Sequence, residues 1–159
     1  MDDLLNKFTE ALKLQNAIDP AAKPYESKYK ARKILEEVIG QIDVTNDNSE
    51  ALLGGIYATI GVIDVDVEEL STGEVNLLKA IQHLCNVNDR ELVILQEIKT
   101  LNQLGILWCL REDYEKAGNF LQQSLENYQQ FVGREEKLYL YETIDLFQIG
   151  SSEVSFKIF

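Results

Sequence analysis

His83 is the only histidine of the chain, and Cys85 and Cys109 are its only cysteines. Nucleophilic, metal or proton-transfer chemistry would have to be built on these residues or on carboxylates. One histidine excludes every triad that needs a second. His83 and Cys85 lie two apart on a helical stretch and so do not face each other. A metal held by His83, Cys85 and Cys109 would need ligands from distant parts of the chain to converge. The plainer reading is an exposed or half-buried histidine and two thiols serving as small hydrophobes. Asp43, Thr45, Asp47 and Ser49 alternate as calcium-loop ligands do, but the sixth position is Asn48 rather than glycine and the twelfth is Gly54 rather than a bidentate Glu. Asp64, Asp66 and Glu68 alternate as well, with Val75 at the twelfth place. No phosphate-binding glycine loop, dinucleotide fingerprint or nucleophile elbow occurs. Each carboxylate pair reads most simply as part of a solvated face. The expectation is a protein that is not an enzyme and holds no metal or cofactor.

The carboxylates matter more as a field. The net charge is −12, and it is unevenly placed. Residues 1–42 are neutral overall, residues 43–78 carry eight acidic side chains and no Lys or Arg, and residues 79–159 have a net charge of −4. Such a distribution repels a phosphate backbone, which argues against nucleic-acid binding. It complements a basic protein surface, and Asp64, Asp66, Glu68, Glu69 and Glu74 form the candidate acidic patch for such a partner. The alternative is a solvated face that serves solubility alone. Residues 1–15 are amphipathic and charged, unlike a secretory signal, and no apolar run approaches the ~20 residues of a membrane span. Two cysteines are too few for a disulfide framework, so a reducing cytoplasmic setting is expected.

These groups must be positioned by helices. A 159-residue chain that is 45% apolar and 26% charged can build one ordinary core. Leu4, Leu5, Phe8, Ala11, Leu12 and Leu14 predict a helix over 3–15, and Pro20 and Pro24 predict a break over Asn16–Pro24. From Tyr25 the helical period returns, with Tyr29, Ile34, Leu35, Val38, Ile39 and Ile42 on one stripe and Arg32–Glu36 and Lys33–Glu37 spaced as ion pairs along the helix. Asp43–Ser49 reads as a connection, with Ser49 as the predicted N-cap of the next helix. The first two helices are thus expected to form an antiparallel hairpin.

An internal repeat organises the second half of the chain. At an offset of 44 residues, Ile60-Gly61 meets Leu104-Gly105, Gly73 meets Ala117, Leu77 meets Leu121 and Ala80 meets Ser124. Small residues recur where two helices of a tight hairpin cross, because only there can the backbones approach closely. In the second copy Leu101, Leu104, Gly105, Trp108, Tyr114, Ala117, Leu121 and Ser124 follow the tetratricopeptide pattern, with Gln129 in place of its terminal proline. The first copy is weaker, with Tyr57, Ile60, Gly61, Gly73, Leu77 and Ala80. Trp108 is expected to pack inside its own hairpin. Gly54-Gly55 either loosens its helix or admits a close neighbour. After Phe131 the pattern fades: Gly133 ends the helix, Arg134–Gly150 reads as a short helix or packed strand, and Val154, Phe156, Ile158 and Phe159 make a poor cap for an array.

The blocks Pro24-Tyr25-Glu26-Ser27-Lys28-Tyr29-Lys30-Ala31-Arg32 with Leu35-Glu36-Glu37-Val38, then Glu68-Glu69-Leu70-Ser71-Thr72-Gly73-Glu74, then Leu104-Gly105-Ile106-Leu107-Trp108 with Arg111-Glu112, resemble the KIF-binding protein (kinesin-binding protein) family in order and approximate spacing. The resemblance covers most of residues 1–131 and only the N-terminal portion of the family. It implies a non-enzymatic adaptor that binds kinesin motor domains, limits their engagement with microtubules, and serves axonal and organelle transport and neuronal development in the cytoplasm and at the cytoskeleton. The connection Val44–Glu50 is shorter than in vertebrate members.

The predicted fold is all-α, a right-handed stack of antiparallel, tetratricopeptide-like hairpins over residues 1–42, about 50–85 and about 89–131. Residues 1–49 form the first hairpin and its connection, residues 50–131 form two repeat hairpins, and residues 132–159 are a truncated continuation. By repeat phase, Lys99, Asn102, Ile106 and Cys109, with Ala58 and Val62 of the first copy, line the concave surface. The rival readings are a generic peptide-binding scaffold and a product that folds without full motor binding. The first needs converging cationic and amide side chains, yet Ala58, Val62 and Val65 are not basic. A turnover requiring His83 would revive the enzyme reading.

Overall fold

The computed structural model describes residues 2–132 of the 159, and the expected continuation over 133–159 lies outside the described residues. The described residues form six helices and no strand: α1 (Asp2–Gln15), α2 (Glu26–Gln41), α3 (Ser49–Asp66), α4 (Leu70–Cys85), α5 (Arg90–Leu110) and α6 (Tyr114–Phe131). These are the three helix pairs expected, the first from periodicity and proline placement and the other two from the internal repeat. The chain parts into two units, Met1–Asn86 and Val87–Phe159. The division therefore falls after α4 rather than after Ser49, because α2 and α3 share an apolar core and a set of ion pairs.

In the first unit, the proline-containing connection is tied to the start of α2 by a side chain. Asp19 accepts from both the N–H and the hydroxyl of Ser27, which supplies the anionic cap that Tyr25, at the N-cap position, does not give. That hydroxyl, more than any other neighbour, holds the Asp19 carboxyl below the usual carboxylate range. At the same end of the hairpin, Lys28 Nζ donates to the Gln15 carbonyl at the C-terminus of α1 (2.8 Å). Ala11, Ala31, Leu35, Val38, Ile56, Ile60 and Ile63 then form one buried cluster drawn from α1, α2 and α3, with Leu4, Phe8 and Leu14 packed on it.

The α3–α4 hairpin is antiparallel and close. A Cβ added to Gly54 would lie 2.6 Å from Leu84, one on Gly61 would lie 2.6 Å from Leu77, and one on Gly73 would lie 3.2 Å from Val65. Gly54 and Gly55 thereby separate: the first admits a close neighbour, whereas a Cβ on the second meets nothing within 4 Å. Gly61, Gly73 and Ala80 are all buried, as the small-residue pattern required. Ser49 is not the N-cap. It is the first helical residue, and its buried hydroxyl donates to the Val44 carbonyl (3.2 Å), so it closes the connection instead of the helix end.

The second unit repeats the arrangement. Ser124 Oγ lies 2.6 Å from Asn102 Oδ1 and 3.3 Å from the Ile98 carbonyl, and Ile98 and Tyr128 form a small core with Ile94 and Val132. Leu104, Gly105, Ala117, Leu121 and Ser124 are buried. Trp108 is half-buried, and Tyr114, at the start of α6, is 55% exposed and does not pack into the hairpin. The 44-residue offset has a simple origin in helices of 16 to 21 residues. It also extends to a turn that the sequence pattern did not reveal. Glu68 and Glu112, 44 apart, both take left-handed backbone angles (φ 65° and 60°). Around them the N–H of Val67 or Arg111 donates to the Ile63 or Leu107 carbonyl, and the N–H of Glu69 or Asp113 to the Asp64 or Trp108 carbonyl. Both long helices thus end on the same left-handed cap.

Candidate partner-binding surface

The five acidic residues proposed as a patch cluster around the α3–α4 turn, but they are not equivalent. Asp64 is 1% exposed. Arg32 Nη1 donates to its Oδ1 at 2.6 Å and Asn76 Nδ2 to its Oδ2 at 2.7 Å. Asp64 is therefore an internal anchor and offers no charge to a partner. Asp66 is paired with Lys28 at 3.2 Å and Glu69 with the same Arg32, although both acidic side chains remain about two-fifths exposed. Glu68 is exposed at the left-handed position of the turn, and Glu74 is half-buried on the first turns of α4. The hydrogen bond to Glu69, reinforced by Asp64, holds the Arg32 guanidinium protonated well above the ordinary arginine range, despite the opposing cost of burial. Glu68 is the exposed carboxylate of the turn, and Asp66 and Glu69 are partly neutralised by their ion pairs.

Linear charge counting missed the cations. Lys28 and Arg32 belong to a stretch that is neutral overall, and Arg32 turns to α3 and the α3–α4 turn. The signal that could have found it is position: Arg32 follows buried Ala31 and precedes buried Leu35 by three, which puts it at the edge of the stripe that meets α3. A second charged group missed in the sequence lies at the far end of the same hairpin. Glu50 of α3 accepts from His83 of α4, with 2.8 Å between Oε2 and Nδ1, and His83 stacks on Tyr57 with ring planes 2° apart. The His83 hydrogen bond, more than any other cause, holds the Glu50 carboxyl below its usual range. The lone histidine is thus engaged in closing a hairpin.

The residues proposed for a concave face also divide. Ala58 is 2% exposed and belongs to the core of the first unit, while Val62 is half-buried beside it on α3. On α5, Lys99, Asn102, Ile106 and Cys109 follow one another at three- and four-residue steps and so share a helix face. Lys99 is exposed and the other three are half-buried. Asn102 is engaged by Ser124. Burial raises the Cys109 thiol above its usual range. At the adjacent turn, the Trp108 ring is covered by two cations, with Arg111 Cζ at 4.7 Å and Lys116 Nζ at 4.3 Å from its centroid, while its buried Nε1 makes no hydrogen bond.

Neither face has the converging nucleophile, base and oxyanion donors of a catalytic site. Among the described residues no helix is long and apolar enough to cross a membrane.

Over 72% of its length the chain is similar, at 37% identity, to the KIF-binding protein of Gallus gallus. Over 82% it is similar to that of Bos taurus at 30% identity, and over 81% to that of Drosophila melanogaster at 25%. The matched regions amount to 20%, 27% and 24% of those relatives, so the chain spans about a quarter of their length. No protein-family model and no solved structure matches it.

Proposed function

We propose, from its similarity over most of its length to about a quarter of the KIF-binding proteins, that the chain belongs to that family and is a non-enzymatic, kinesin-binding adaptor module built from tetratricopeptide-like hairpins. The observation that carries the reading is the relation to proteins named for KIF binding, extending over most of the chain. We assign the contact to the kinesin motor domain, whose microtubule-binding face is basic because tubulin is acidic. The α3–α4 turn supplies the complementary charge chiefly through exposed Glu68, with Asp66, Glu69 and Glu74 adding to the acidic field around it. Occupation of that face would limit microtubule engagement, with motor-driven transport along axons and neuronal development as the processes served.

The test is binding of the purified chain to a kinesin motor domain at two salt concentrations, beside a Glu68→Lys, Glu74→Lys variant. Asp64 is left intact because its reversal would place a cation against Arg32 in a buried site. Selective binding, weakened by added salt and at least tenfold by the double reversal, is the expected result. Undiminished binding by the variant would move the contact elsewhere on the chain. No binding by a folded chain would assign the activity to parts of the relatives that this chain does not span.

A further inference from the structure

The α1–α2 hairpin is joined to α3–α4 by two kinds of tether at opposite ends of α2. Beyond the C-terminus of α2 the chain continues through residues 42–48, a connection stiffened by its own side chains. Asp43 Oδ1 accepts from the N–H (2.9 Å) and hydroxyl (2.6 Å) of Thr45, Asn46 Oδ1 accepts from the Asn48 N–H (2.9 Å), and buried Ser49 donates to the Val44 carbonyl. Toward the N-terminus of α2 the tether is charged: Arg32 reaches Asp64 and Glu69, and Lys28 reaches Asp66. Between the two lies the apolar contact of Ala31, Leu35 and Val38 with Ile56, Ile60 and Ile63.

We propose that the Arg32–Asp64 pair is a latch and the 42–48 connection its hinge, so that releasing the latch lets the α1–α2 hairpin open from an α3–α4 hairpin that stays folded. Asp64 is the fixed half. Its second oxygen is held by Asn76 of α4, so the carboxylate belongs to the α3–α4 hairpin whether or not Arg32 is present. That hairpin also closes on contacts of its own, Gly54 with Leu84 and Gly61 with Leu77, which involve neither α1 nor α2. Arg32 is the movable half: its side chain is 21% exposed and is shared between Asp64, Glu69 and the Tyr29 ring. A displaced hairpin would leave Asp64 desolvated without its cation, a severe penalty for a small shift. Apolar side chains accept small shifts at far lower cost. The charged pair therefore fixes where the hairpin seats, and the apolar contact fixes how tightly.

Native-state hydrogen exchange of the full chain, read by mass spectrometry, tests the latch. In Asp64→Asn and in Arg32→Gln, the amides of residues 31–39 should exchange at least about tenfold faster than in the unaltered chain, with residues 77–84 changed by less than about twofold. Glu69→Gln removes only the exposed arm. It should accelerate residues 31–39 by about two- to threefold, and it keeps the question decidable if Asp64→Asn fails to fold. Equal acceleration of both segments in any of the three variants would make the pair a contributor to general stability and overturn the latch. Unchanged exchange of residues 31–39 would overturn it as well.

Discussion

The α3–α4 and α5–α6 turns share a backbone and differ in what they do with it. Glu68 and Glu112 adopt the same left-handed angles, and the same carbonyls of the preceding helix accept the same N–H groups. Forty-four residues apart, however, Asp64 stands where the second copy has Trp108, and Glu69 where it has Asp113. In the second copy Asp113 caps its own helix by accepting from the Lys116 N–H (3.1 Å), and the tryptophan ring carries Arg111 and Lys116 on its face. In the first, Glu69 makes no side-chain cap and its carboxylate goes to Arg32, alongside buried Asp64. One geometry thus supports a self-contained cap in one place and a charged connection to a neighbouring helix in the other. The repeat fixes the path of the chain, and the side chains at two positions decide whether the turn is closed on itself or bound to something else.

The largest test of that contrast is at Trp108. If its ring is what the α5–α6 turn is built on, Trp108→Ala should cost about 2–3 kcal/mol in a denaturant melt, below the full-burial range because the ring is half-buried. Trp108→Phe keeps an aromatic face for both cations and removes an N–H that bonds to nothing, so it should cost no more than about 1 kcal/mol. A costly phenylalanine would mean that the indole N–H matters, and the two turns would differ less than their side chains suggest. Next in size is the helix crossing. Gly61→Ala drives a methyl to 2.6 Å from the Leu77 side chain and 3.1 Å from its backbone nitrogen, and should lose about 1–2 kcal/mol after the gain in helix propensity. Gly55→Ala, into open space on the same helix, should gain about 0.5–1 kcal/mol. Both effects are read as midpoint shifts in thermal unfolding, and a common sign would dissolve the distinction. Smallest is the shared backbone. Glu68→Gly and Glu112→Gly should each stabilise by about 0.5–1 kcal/mol, by equal amounts. Unequal gains would show that one glutamate carries an interaction the other lacks.

Much of the fold was legible because its signals are local. Pro20 and Pro24 marked the first break, apolar periods marked the first two helices, and the 44-residue repeat with its recurring small residues marked the two later hairpins and their crossings. The left-handed turns escaped notice because glutamate, unlike glycine, gives no hint of a positive φ. Ser49 misled for a related reason: its type suits a cap, but whether its hydroxyl meets its own helix or the Val44 carbonyl depends on how the connection folds back. The surface was less legible. Counting charge along residues 43–78 could not register that α2 lays Lys28 and Arg32 against them, so Asp64 read as a surface acid when it is among the most buried polar residues. Ala58 was placed on an open face by phase alone. Its counterpart Asn102 is half-buried while Ala58 is closed off, because phase gives direction but not what lies in that direction.

Trp108 is the only tryptophan of the chain and belongs to the second unit, a few ångströms from two cationic groups. Its emission is consequently a built-in optical gauge of that unit alone, whereas far-ultraviolet ellipticity sums the helices of both. Recording the two signals together during chemical denaturation gives a label-free measure of cooperativity across the molecule. Superimposed curves would describe one melting body, and an early departure of either would assign a separate midpoint to each half.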